Sequence, residues 1–97
     1  MDLQFEWNPR KAATNVKKHG VAFDEALSVF ADPLARIFDD PDHSLDESRQ
    51  IIIGYSTKPR LLVVGFTDRS GRVRLIHARR ATKVERKRHE ENITRNP

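Results

Sequence analysis

Apolar and polar positions alternate at the start of the chain, where Leu3, Phe5 and Trp7 are separated by Gln4 and Glu6. A period of two predicts a short strand with one buried face, which makes Phe5 and Trp7 core residues rather than base-stacking ones. Asn8-Pro9 interrupts the alternation. Asn is a good helix N-cap and Pro at the first helical position loses no hydrogen bond, so a helix is predicted over residues 9–18, with Ala12, Ala13 and Val16 as its apolar stripe. Gly20 supplies a left-handed stop. Phe23, Ala26, Leu27 and Phe30 then recur at helical spacing, predicting a second helix over residues 23–31 that Asp32-Pro33 closes.

Residues 34–38 read as a short strand, followed by an acidic loop over residues 39–47. The clearest strands are residues 49–56 and 60–67, joined by the hairpin-length connection Thr57-Lys58-Pro59, and residues 68–71 turn the chain into a strand over residues 72–78. Thr82 with Glu85 three positions on is a capping-box signature, opening a last helix that runs to about Ile93. Ala81, Val84 and Ile93 are its main apolar positions. They anchor it poorly, so it is expected at the surface or against a partner. The order strand, two helices, four strands, helix predicts one α+β domain over residues 1–97, its mainly antiparallel sheet covered on one face.

A chain of 97 residues buries roughly 60–65% of its unfolded surface, enough for such a sheet but not for an enclosed cofactor pocket of dehydrogenase size. No cofactor is therefore expected. The absence of cysteine removes disulfide scaffolds, thiolate zinc sites and cysteine nucleophiles together. The longest apolar runs, residues 51–53 and 61–64, are far short of a membrane span, and the opening MDLQFEW does not resemble a signal peptide. A soluble, cytoplasmic protein with no membrane partner is the expectation. The net charge of +4 is unevenly placed: residues 1–48 hold five basic and ten acidic side chains, residues 49–68 three and one, residues 69–97 ten and three. A basic end of this kind favours a nucleic-acid partner, because Lys and Arg that neutralise phosphates release condensed counterions. The competing reading is that the basic end pairs with the acidic first half inside the fold.

Candidate chemistry falls in three places. In the acidic loop, a calcium site starting at Asp40 needs glycine at its sixth position and glutamate at its twelfth, and finds Leu45 and Ile51, so no metal site is predicted. The loop is either a solvated turn, with Asp42 and Ser44 bonding local backbone, or it carries His43, Ser44 and Glu47 to a reaction centre. Lys17-Lys18-His19 closes the first helix. The macrodipole explains cations there, and a histidine at position 19 also suits acid or base work. The third place is the run from Arg72 to Arg80. As a strand it puts Arg74, Ile76 and Ala78 on one face and Val73, Leu75 and His77 on the other. Arg79 and Arg80 then reach the N-terminus of the last helix, where guanidinium forks and unpaired N–H groups converge on one anion. Arg49 and Arg60 open adjacent strands and extend the same positive surface.

Taken in order, these residues resemble one family. Phe5-Glu6-Trp7, Asn8, Pro9, Lys11, Ala12, Asn15, Lys18, His19-Gly20-Val21, Phe23 and Asp32-Pro33 are similar to the start of the BrnT toxins of bacterial type II toxin–antitoxin systems. Asp42-His43-Ser44, Glu47 with Arg49, Gly54 with Ser56, Arg60-Leu61, Arg74 through Arg79, Ala81-Thr82 and Glu85-Arg86 continue the likeness over nearly the whole chain. The chain departs from the pattern at His77, where a small serine is expected, and at His89, in place of a tyrosine. The resemblance implies a RelE-like ribonuclease fold, RNA cleavage that arrests translation, neutralisation by a BrnA-type antitoxin, and operator DNA bound by the toxin–antitoxin complex. Metal-free RNA cleavage uses the 2′-hydroxyl as an internal nucleophile and needs a base, an acid and cations. The chain offers Arg60, Arg79 and Arg80 for phosphate, Lys18, His19, His43 or Glu47 for proton transfer, and Arg49, Arg74 and Ser44 for substrate contact. Two other readings compete: a non-catalytic nucleic-acid-binding module, and a protein-interaction domain that docks through its last helix.

Overall fold

A computed structural model describes residues 3–40 and 48–95. Strand β1 (Gln4–Glu6) leads into helix α1 (Pro9–His19) and short helix α2 (Phe23–Leu27), which continues as a 3₁₀ turn over Ser28–Ala31. Strands β2 (Arg36–Asp39), β3 (Gln50–Tyr55), β4 (Leu61–Arg69) and β5 (Arg72–Arg80) precede helix α3 (Lys83–Arg95). The five strands form one sheet in the order β1-β5-β4-β3-β2. All neighbours are antiparallel except β1 and β5. The predicted class and element order hold, with the second helix divided between α and 3₁₀ geometry.

The caps of α1 form as the sequence predicts. The Asn8 side chain accepts from the Arg10 and Lys11 amides, and Gly20, at φ 68°, donates its N–H to the Val16 carbonyl. The stripe differs: Ala12 packs on the core, but Val16 is exposed and the buried residue of α1 is Asn15. Because β1 pairs only with residues 72–74 of β5, the rest of that sheet edge needs other partners. Asn15 supplies them. Its Oδ1 accepts from the Ala78 N–H at 3.0 Å, and its Nδ2 donates to the carbonyls of Ala78 and Val21, each at 2.8 Å.

One sheet face packs against α2 and the 3₁₀ turn, burying Val21, Phe23, Ala26 and Val29 with Ile52, Leu62, Val64, Phe66, Leu75 and Ala78. Phe30 joins this core edge-on to both Phe5 and Phe66, at 5.1 Å from each ring, and Trp7 meets Phe23 at 5.9 Å. The prediction that the sheet is covered on one face needs correcting. Helix α3 lies over part of the second face, where the His89 ring sits 6.0 Å from that of Tyr55 and Arg36 donates to the Asn92 carbonyl. Val84, one of the few apolar positions of α3, is exposed, and His89 is buried.

A bulge also changes the faces of β5. Gly65 pairs with His77 and Phe66 with Leu75, leaving Ile76 unopposed. An extra residue in one strand shifts the alternation that follows. Leu75 and Ala78 therefore both enter the core, and His77 joins Arg79 on the opposite face instead of sharing a face with Leu75.

Candidate active site

A cavity of about 260 Å³ opens between α1 and β5, with Arg10, Lys11 and Lys18 as its cations and His19 and His77 as its imidazoles. Asn15 and Ile76 contribute to its wall. Lys18 and His19 are there because α1 ends at His19, one residue before the Gly20 cap. His77 is there because the bulge turns it away from the core. Its ring lies over Gly65: a β-carbon built on that glycine would stand 2.7 Å from Cδ2 and 2.9 Å from Cε1. Thus Lys18 and His19, two of the residues predicted for proton transfer, meet a histidine that was not among them.

The predicted phosphate and substrate ligands are more dispersed. Arg60 grips Glu25 with Nε and Nη2 and donates to the Gly20 carbonyl at 3.2 Å, while Ser56 donates to the same carboxylate at 2.6 Å. Glu25 is buried, and the Arg60 hydrogen bonds hold its pKa below the ordinary carboxylate value against the opposing effect of burial. Arg74 pairs with Glu6 at 2.7 Å. Both pairs join the acidic first half of the chain to the basic remainder, as the intramolecular reading predicts.

Arg79 meets Glu85 in a parallel fork, Nη1 to Oε1 and Nη2 to Oε2 at 2.8 Å each. Glu85 also accepts from the Thr82 amide, and the Glu85 amide donates to the Thr82 hydroxyl, completing the capping box. The expected junction of arginine and helix start therefore exists, but the anion it holds is the chain's own carboxylate. Arg79 is the main cause of the fall in the Glu85 pKa to about 2. Arg80 is the last residue of β5 and is exposed. Arg49 precedes β3, where its carbonyl accepts from the Asp40 amide at 3.0 Å. His43, Ser44 and Glu47 lie outside the described residues.

Residues 7–85 match the sequence profile of a family described as "Ribonuclease toxin, BrnT, of type II toxin-antitoxin system". The chain belongs to the BrnT family of ribonuclease toxins. Its structure is similar to the 1.1 Å crystal structure of the Brucella abortus ribonuclease toxin BrnT, with a TM-score of 0.66 at 21% identity over 84% of this chain and 100% of that one. No curated protein matches it. In this BrnT-family chain, burial lowers the pKa of His77; Arg79, His19 and Arg49 push the same way, and Asp40 opposes them. The shift favours the neutral imidazole, the form that accepts a proton.

His77 and Asn15 are the site residues that strand and helix periodicity assigned no site role. The bulge that reorients His77 has no signature in alternation alone. Gly65 is the available signal, since a glycine inside a strand of bulky residues marks the close approach of another group.

Proposed function

We propose that this chain is a metal-independent endoribonuclease, the toxin of a toxin–antitoxin pair, which cuts RNA through its own 2′-hydroxyl and so arrests translation. The observation that carries this reading is the gathering of Lys18, His19 and His77 in one open cavity beside Arg10 and Lys11. Cations at the cavity rim hold the phosphate and offset the charge that grows on it, and the nitrogen bases move the two protons of the reaction. Attack by the 2′-oxygen on phosphorus breaks the bond to the 5′-oxygen, leaving a 2′,3′-cyclic phosphate and a 5′-hydroxyl. Arg79 and Glu85 serve a different purpose: they fix the start of α3 beside the site. Neutralisation by a BrnA-type antitoxin, and operator binding by the resulting complex, accompany this role.

The test is cleavage of a labelled RNA by purified protein in excess EDTA, with end-group analysis of the products. Cyclic phosphate ends, lost in the Lys18→Ala/His19→Ala double variant, are the expected result. Restoration of cutting only when a divalent cation is added back would reject the metal-free chemistry. RNA that is retained in a salt-sensitive way but never cut, with or without metal, would favour the binding-module reading.

A further inference from the structure

We infer that His77 is the general base of RNA cleavage, held for that task in a slot that Gly65 leaves open; the inference rests on the ribonuclease reading. The bulge places His77 on the face opposite the core and directly across from Gly65. A side chain at position 65 would occupy the space of the imidazole, so the glycine and the ring fit as a pair. The ring is half-buried, shares the cavity with Lys18 and His19, and makes no hydrogen bond among the described residues. The ring is fixed in position by packing on Gly65 and keeps its lone pair for a ligand.

The charges around it fit the same role. Beside burial, Arg79 on β5, His19 on α1 and Arg49 before β3 disfavour an imidazolium, and Asp40 after β2 is the opposing acid; Lys18, Arg10 and Lys11 are the other charged groups of the cavity. In the proposed step the neutral imidazole takes the proton of the 2′-hydroxyl as the oxygen–phosphorus bond forms. Lys18 or His19 gives a proton to the departing 5′-oxygen. One proton is taken and one is given, the phosphodiester rearranges internally, and no further reactant is needed.

Single-turnover cleavage of a short RNA is to be followed as a function of pH for the parent, His77→Gln, His19→Gln, Gly65→Ala and the Gly65→Ala/His77→Gln double variant, with circular dichroism of each. The parent rate is expected to fall on the acid side, as the base becomes protonated. His77→Gln should lower the plateau by about 10²–10⁴-fold and remove that acid limb, whereas His19→Gln should leave the limb in place. Gly65→Ala, which displaces the ring, should slow the parent but have no further effect once His77 is Gln. An acid limb that survives in His77→Gln, or an equal loss from Gly65→Ala in both backgrounds, would overturn the assignment. A parent that cuts no RNA at any pH would reject the ribonuclease reading itself, and the assignment with it.

Discussion

The side-chain amide of Asn15 stands in for a segment of strand. It offers one acceptor and one donor to Ala78 as a neighbouring strand would, and adds a hydrogen bond to Val21 that holds the chain where it leaves the α1 cap. Removing it leaves the buried N–H and C=O of Ala78 without these partners, and an unsatisfied buried group costs about 1–3 kcal/mol. Asn15→Ala is therefore expected to destabilise the fold by about 2–4 kcal/mol, measured as a shift in the denaturant midpoint. Asn15→Asp should also destabilise, because a carboxylate would face two carbonyls in place of the donating amide. A midpoint unchanged in both variants would mean that α1 is held to the sheet edge by Ala12 and the apolar core alone.

Polar contacts hold helix α3 at both ends. The Arg79 fork and the capping box fix its first turn, and farther along it buries His89, whose Nε2 has no hydrogen-bond partner among the described residues. Burial lowers the His89 pKa; Asp32 and Glu90 pull the other way, and Arg36 adds to the lowering. A histidine whose folded pKa lies below its unfolded value binds fewer protons when folded, so stability is complete above the ordinary value of 6.5 and is lost as pH falls below it. His77 acts in the same sense. His89→Phe should remove part of this decline, raising the melting temperature more at pH 5.5 than at pH 8; an equal rise at both would show that the gain is packing alone. The same helix shows how much was readable beforehand. Thr82 and Glu85 announce its start, since capping chemistry is local, and Val84, one of the few apolar positions of a helix read as poorly anchored, is exposed. Alternation likewise locates β5 and then misassigns His77, because a bulge inserts one residue that a strict period of two does not register, and only the glycine facing it at position 65 marks the place. Lys18 and His19 were legible as a pair for the same local reason as the cap, whereas the distant partner that completes their cavity is set by strand register.

Across the whole molecule, some cations hold a carboxylate partner and others face the cavity. Arg60 and Arg74 return to Glu25 and Glu6 in the acidic first half, and Arg79 is held by Glu85. Lys18, Arg10 and Lys11 rim the cavity instead. This division separates two effects that net charge alone would merge. Each cation neutralising a phosphate of single-stranded RNA contributes about 0.7 to the slope of log K against log salt. For an RNA made uncleavable by 2′-O-methylation, Lys18→Ala should therefore reduce the slope by about 0.7 with little change in melting temperature. Arg60→Ala should do the reverse, because it strips a buried carboxylate of its partner: the melting temperature falls while the slope stays that of the parent. A slope reduced by Arg60→Ala and untouched by Lys18→Ala would move the RNA surface from the α1–β5 cavity to the α2 end of β4. Arg74→Ala provides an internal scale, since its half-buried pair with Glu6 is partly screened by solvent and should move neither quantity by much.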